Sequence, residues 1–277
     1  MGETGIDKAR VRRSFSRAAD SYDEVAVLQR EAGSRMLERL DLVKLRPGRV
    51  LDLGCGTGTQ TAALLRRYPK AQVVALDLAL PMVRHARRKG RWLRRPLCLC
   101  GDMERLPLAG GSVDLIVSNF AFQWSTDPLL LYRECLRVLR PGGLLMFTTF
   151  GPDTLKELRH AWSEVDDFEH VSPFIDMHDL GDLLIRAGFA APVMDVDRMV
   201  LTYAGVDDLM RDLKRLGAHN ATVGRPRALT GKARMTAMRR AYEKFRRNGV
   251  LPATHEVVYG HAWAPERAAV KVDTLTP

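Results

Sequence analysis

From Arg49 onward the chain alternates short, nearly uninterrupted apolar runs with longer segments of helical periodicity: RVLDL, TQTAALLRRY, QVVALDL, PMVRHARRK, PLCLC, VDLIVSN, PLLLYRECLRVL and GGLLMFTTF. Strands that are apolar on both sides are those covered by helices on both faces, and strand–helix–strand repeats link parallel neighbours. The expected fold class is therefore α/β, a doubly wound and mostly parallel sheet. Pro81 opens a helix after Leu80, and Arg140-Pro141-Gly142-Gly143 is expected to stop the helix that begins near Pro128.

Ahead of the sheet, residues 7–42 carry Val11, Phe15, Tyr22, Val25, Leu28, Met36, Leu37 and Leu40 at roughly helical spacing. After Phe150 come a helix in DTLKELRHAWSEV, another over 176–187 closed by Gly188, and a β-rich segment over 194–203. Two helical stretches, 206–216 and 232–247, then interrupt the pattern before a last strand over 254–263. The expected division is an N-terminal helical cap (1–45), an α/β core (46–203), a helical lid insertion (204–253), and a final strand and tail (254–277). The two late strands should pair at one sheet edge, with the helical pair folded over as a lid.

Several function classes fall away on composition. No run of consecutive apolar residues exceeds four, whereas a membrane helix needs about 20, so no membrane partner is expected. The N-terminal MGETGIDKARVRRSF has basic residues with no apolar stretch behind them, which points to the cytoplasm. Four cysteines, Cys55, Cys98, Cys100 and Cys135, are too few and too irregular for a disulfide scaffold or a four-ligand zinc site. No metal is expected, and LCLC reads as one face of a buried strand. Lys and Arg total 43 against 33 acids, a formal charge of +10. The excess gathers in RHARRKGRWLRR (84–95) and in 210–247, where Asp212 and Glu243 are the only acids. A solvated helix face or a docking surface for something anionic would both produce this bias.

The segment that points to chemistry is Val50-Leu51-Asp52-Leu53-Gly54-Cys55-Gly56-Thr57-Gly58-Thr59. A strand running into closely spaced glycines and then a helix lets a ligand approach backbone N–H groups that a Cβ would block. The spacing is G-x-G-x-G, not the G-x-G-x-x-G of dinucleotide sites. A second strand ends at Asp77, placed to accept hydrogen bonds from both hydroxyls of a ribose. A third ends at Gly101-Asp102-Met103, and a fourth at Ser118-Asn119-Phe120-Ala121-Phe122-Gln123-Trp124. All four ends should fall on one rim, where doubly wound sheets bind ligands.

Together these motifs resemble the class I S-adenosylmethionine-dependent methyltransferases, whose sheet is a seven-stranded Rossmann-like one. The resemblance implies S-adenosyl-L-methionine as cofactor, with the glycine loop on its methionine part, Asp77 on its ribose and Asp102 on its adenine amino group. The pocket it implies comprises Asp52, Gly54, Gly56, Gly58, Asp77, Leu78, Met82, Asp102, Met103, Asn119, Phe120 and Gln123. The string from Phe15 to Arg30, the segments SNFAFQW and FTTFGPDTLKELRHAW, and DLKRLGAHNATVGRPRAL look more narrowly like the malonyl-acyl-carrier-protein O-methyltransferases of biotin synthesis. These enzymes esterify the free carboxylate of a malonyl thioester on acyl carrier protein. The segment SPFIDMHDLGDLLIRAGF also resembles a mitochondrial relative associated with protein arginine hydroxylation.

By this resemblance Tyr22 and Trp124 are the catalytic candidates, with Phe120 and Gln123 beside them along a methyl-transfer channel. Tyr22 reads equally as a packed aromatic of an N-terminal helix, and Trp124 as a core residue. A carboxylate acceptor would want a cation, for which Arg17, Lys214 and Arg225 are candidates. No general base is required, because a carboxylate of pKa about 4 is already ionised at neutral pH. The acidic carrier protein gives the basic 210–247 segment a partner, with Arg239, Arg240, Arg246 and Arg247 as its landing surface. The alternatives are another acidic small molecule, protein arginine acted on by a hydroxylase or assembly factor, and RNA. For RNA there is no added binding module, and SNFAFQW lacks the D/N-P-P-Y/F type of motif, so no nucleic acid is expected. A monomer is expected.

Overall fold

The computed structural model describes residues 5–90, 94–218 and 230–266. Three helices open the chain: α1 (Lys8–Ala18), α2 (Tyr22–Val25) and α3 (Val27–Arg39). Then follow β1 (Arg49–Leu53), α4 (Thr59–Arg67), β2 (Gln72–Asp77), α5 (Leu80–Ala86), β3 (Leu97–Cys100), β4 (Val113–Asn119), α6 (Pro128–Val138) and β5 (Leu139–Phe150). The remainder is α7 (Lys156–Ser163), α8 (Met177–Ala187), β6 (Ala190–Tyr203), α9 (Val206–Arg215), α10 (Lys232–Glu243) and β7 (Leu251–Trp263).

The seven strands form one sheet in the order β3-β2-β1-β4-β5-β7-β6. The first five pair in parallel, and β7 is antiparallel to both β5 and β6. Strand order reverses between β1 and β4, the switch point at which such sheets open a crevice.

Alternation along the strands builds two cores. Leu51, Leu53, Ile116, Leu145 and Phe147 pack with α6 and α8 through Leu131, Tyr132, Cys135 and Leu184. Their neighbours Val50, Leu115, Val117, Leu144 and Met146 pack with α3 and α4 through Leu28, Met36 and Leu64. This is the period-two consequence of side chains pointing to opposite faces. A third cluster joins α7 to α9 and α10 through Leu158, Trp162, Leu209, Met238 and Tyr242.

One sequence expectation is corrected and a second gains a detail. β3 is an edge strand, so LCLC is not one face of a buried strand: Cys100 is exposed and Leu97 half-exposed. Arg140–Gly143 follows the end of α6, as expected. That helix ends at Val138, and the tetrad already belongs to β5, where Arg140 reaches Asp114 of β4 at 2.8 Å.

Candidate functional site

The carboxyl ends of β1, β2, β3 and β4 surround a cavity of ≈ 660 Å³. Gly54 and Gly56 line it from the β1 loop. An ideal Cβ on Gly56 would stand in open space with no protein atom within 4 Å, so the missing side chain leaves room for a ligand against the backbone. Asp77, at the end of β2, accepts from the Gly56 N–H at 2.9 Å and from the Ala79 N–H at 2.8 Å. Each carboxylate oxygen therefore retains acceptor capacity. Burial raises the Asp77 carboxyl above its ordinary range, although the Ala79 and Gly56 N–H groups oppose the shift.

Leu78, Met82, Asp102, Met103, Asn119 and Phe120 complete the expected part of the wall. Asn119 is held by two bonds, donating to Gln29 O at 2.9 Å and accepting from Thr148 Oγ1 at 2.7 Å. Phe120 has φ +51°, an uncommon conformation for a non-glycine residue, and its N–H donates to Thr148. Its ring stacks on Phe150 at 4.3 Å. Tyr22 and Trp124 also line the cavity, each against Phe15, with ring centroids at 6.5 and 5.5 Å. Burial and the nearby charges of Asp77 and Asp23 push the Tyr22 phenol far up, so it stays protonated.

Three expected cofactor residues lie elsewhere. Asp52 is buried beneath the loop, accepting from Thr61 Oγ1. It alternates with Leu51 and Leu53 and so turns towards the α4 side of the sheet. Gly58 caps α4, and a Cβ there would come 2.6 Å from Ala86 Cα, so its absence serves helix packing. Gln123 donates to Phe120 O at 2.8 Å and lines a neighbouring cavity instead.

Sequence reasoning missed the roof. Lys8, Val11 and Phe15, one stripe of α1, close over the cavity. Lys8 Nζ sits 2.6 Å from Asp102 Oδ2 and also pairs with Glu104. Burial alone would raise the Glu104 carboxyl. Donors from Lys8, Ser125, Thr126 and Asp127 instead hold it at about 2.

The neighbouring cavity, ≈ 1340 Å³, is lined by Leu28, Gln29, Gln123, Phe150, Trp162, Tyr203, Leu213, Lys214 and His255, among others. Among the described residues, Trp124 is the one it shares with the first. The Trp124 indole nitrogen is buried with no hydrogen-bond partner among the described residues. Burial lowers His255 to about 4, leaving a neutral imidazole. Of the residues expected as substrate cations, Lys214 lines this second cavity, whereas Arg17 lies on the outer side of α1, exposed, and Arg225 falls outside the described residues. Among the described residues no His, Cys, Asp and Glu group could hold a metal ion.

A crevice at the switch point thus adjoins a larger, mostly apolar cavity, with Trp124 in the wall of both. The model of a methyltransferase domain matches residues 51–147. A malonyl-[acyl-carrier protein] O-methyltransferase of Methylovorus sp. (strain MP688) is 54% identical over 98% of this chain and 94% of its own. The Laribacter hongkongensis protein of the same name is 56% identical over 94% of this chain and 90% of its own. The chain belongs to the malonyl-[acyl-carrier protein] O-methyltransferase family.

Membership extends through α1, α9 and α10, since the matches run far beyond the core. The fold itself is shared more widely. A Haemonchus contortus phosphoethanolamine N-methyltransferase 2 in complex with S-adenosyl-L-methionine has a TM-score of 0.52 at 17% identity, covering 85% of this chain and 52% of that one. The [4+2]-cyclase SpnF has a TM-score of 0.54 at 20% identity, covering 85% and 81%. The same sheet thus hosts different chemistries, and the parts outside it distinguish this family. No helix among the described residues is long and apolar enough to cross a membrane.

Proposed function

We propose that this protein transfers a methyl group from S-adenosyl-L-methionine to the free carboxylate of a malonyl thioester on acyl carrier protein. The methyl ester so formed would enter the pimeloyl stage of biotin synthesis, and the enzyme would act as a cytoplasmic monomer. The observation that carries this assignment is the meeting of two cavities at Trp124.

The first cavity fits the cofactor: the open space beside Gly56 admits a chain against the backbone, and Asp77 and Asp102 stand where ribose and adenine donors would be received. Gly54, Leu78, Met82, Met103, Asn119 and Phe120 would enclose it, with Tyr22 as a neutral hydrogen-bonding wall. When bound, the cofactor supplies an electrophilic methyl group on a sulfonium. Lys214 would attract the acceptor carboxylate into the second cavity, where Gln123 and the unpartnered Trp124 N–H offer hydrogen bonds to orient it.

No residue needs to remove a proton, because the acceptor arrives as an anion. Transfer brings an anion and a cation together and leaves neutral products. Walls that exclude water, here Phe15, Phe120, Phe150 and Trp124, therefore favour it. The test offers the protein labelled cofactor with malonyl-carrier protein, malonyl-coenzyme A or transfer RNA. A base-labile methyl ester on the carrier is expected; label on the RNA, or on none of the three, would overturn the assignment.

A further inference from the structure

The basic excess of 210–247 divides in the structure: Arg239 and Arg246 are engaged by carboxylates of this chain, whereas Arg211, Lys214 and Arg215 line a groove. On α10, Arg239 is paired with Asp207 at 2.8 Å and Arg234 approaches Asp166, while just beyond the helix Arg246 pairs with Glu243 at 2.7 Å and Lys244 with Glu164. Intramolecular carboxylates thus engage four of the seven cations over 232–247. Arg240 and Arg247 are exposed but line neither cavity.

The cations converge elsewhere. A groove of ≈ 1140 Å³ runs between α1 and α9, and six basic side chains line it: Arg10, Arg13 and Arg17 from α1, and Arg211, Lys214 and Arg215 from α9. The α1 set has i, i+3, i+7 spacing and so forms a stripe beside the Lys8, Val11 and Phe15 stripe that roofs the first cavity. One helix thus presents an inner face to the rim cavity and a cationic face to the groove. The floor is closely fitted, since a Cβ on Gly217 would lie 3.1 Å from Ser14 O and 3.2 Å from Ala18 Cβ. Asp208 offsets Arg211, and Glu24 offsets Arg215. Arg13, Arg17 and Lys214 have no acidic partner within salt-bridge distance among the described residues. Lys214 lines both this groove and the second cavity, so the groove opens beside the acceptor space.

We propose that the groove between α1 and α9 is the docking surface for the acidic face of the carrier protein. The inference rests on the carrier-bound acceptor argued above and adds where the carrier sits. Charge matching selects the occupant: a monoanionic phosphodiester in the carrier's arm needs one or two cations, whereas an acidic protein face supplies several carboxylates to a groove with this surplus. A carrier seated there touches α1 and α9 together and directs its thioester arm past Lys214 into the second cavity. Such rim charges act chiefly on encounter rate and are screened by salt.

The test compares R13E/R211E with R240E/R247E, using kcat/KM on malonyl-carrier protein, malonyl-coenzyme A and malonyl-pantetheine, which keeps the acceptor carboxylate but lacks phosphate. Binding of S-adenosylhomocysteine to each variant reports that the fold is intact, and R13K/R211K restores charge without the reversal. R13E/R211E should lose about tenfold or more on the carrier at low salt. That loss should shrink as ionic strength rises, with malonyl-pantetheine unchanged and R13K/R211K near wild type. Equal losses on all three substrates would overturn the proposal, as would a larger carrier-specific loss in R240E/R247E. A loss on malonyl-coenzyme A matching that on the carrier would assign the groove to the arm's phosphate instead. If wild-type protein methylates no malonyl thioester, the assigned function fails rather than the surface.

Discussion

Lys8 Nζ, on the first turn of the N-terminal helix, lies 2.6 Å from Asp102 Oδ2 at the end of β3. The pair fastens the roof of the rim cavity to its wall, and Glu104 completes the clasp. In Lys8→Met the inner stripe of α1 keeps its apolar packing but loses this anchor, leaving a half-buried Asp102 and a buried Glu104 without their cation. Affinity for S-adenosylhomocysteine should fall about tenfold, consistent with loss of one charge-assisted contact, and calorimetry reads it directly. Unchanged affinity would show that α1 closes without Lys8.

Glu104 makes the same clasp sensitive to acid. Its carboxyl is held at about 2 in the fold, against an ordinary 4.5. A depressed carboxylate stabilises the fold above its unfolded pKa. That contribution is lost as pH falls from about 4.5 through about 2, and is on the order of 3 kcal/mol when complete. Thermal melts between pH 7 and 2.5 should show wild type losing more stability than Glu104→Gln across that window. Parallel curves would refute the linkage.

Asp77 was legible because an acid at the end of an apolar run, after a glycine turn, has a place fixed by the fold alone. Its backbone partners at Gly56 and Ala79 hold it in the cavity even without a ligand. Asp77→Ala removes both the acceptor proposed for ribose hydroxyls and the tie on the loop. Cofactor affinity should drop about a hundredfold, from two charged hydrogen bonds of roughly 1.5 to 3 kcal/mol each less relaxation. Calorimetry with S-adenosylhomocysteine that gave wild-type heat would remove the ribose role.

The parts of the site that the sequence concealed share a physical cause. Lys8 finds its partner 94 residues away, and no local pattern encodes that distance. The order of strands is also non-local, so nothing in LCLC says that β3 lies at the edge. Asp52 differs, because its position was readable: Leu51 and Leu53 belong to the α6 face, and period-two alternation turns the residue between them away. The glycine motif drew attention to the loop and away from that count. Within the basic 210–247 segment, sequence charge does not reveal which cations Asp207, Glu243 and Glu164 already neutralise, nor that those of α9 face α1.

That corrected position of Asp52 gives a prediction opposite in sign to the one for Glu104. Burial pushes its carboxyl to about 7, against the pull of the Thr61 donors. A raised carboxyl is protonated more readily in the fold than in the unfolded chain, so stability declines as pH rises from about 4 to about 7 and stays lowered above that. Asp52→Asn keeps an acceptor for Thr61 and carries no charge. It should melt higher than wild type at pH 8, match it near pH 4, and bind S-adenosylhomocysteine within about threefold of wild type. A large loss of binding would return Asp52 to the cofactor site.

Trp124 stands in both cavity walls, and its two contributions can be separated. The ring packs edge-on against Phe15 and excludes water, while the indole N–H is a buried donor without a protein partner. Such a donor is available to an acceptor oxygen placed at the wall between the two cavities. Trp124→Phe keeps the wall and removes the donor; Trp124→Ala removes both and joins the two cavities. The phenylalanine variant should lose about tenfold in kcat on malonyl-carrier protein, and the alanine variant about a hundredfold, because misplacement by an ångström near the reacting atoms costs that much. Cofactor affinity should change little in the first and moderately in the second. If Trp124→Phe retained full kcat, the donor would have no part in orienting the acceptor, and the residue would act through its bulk alone.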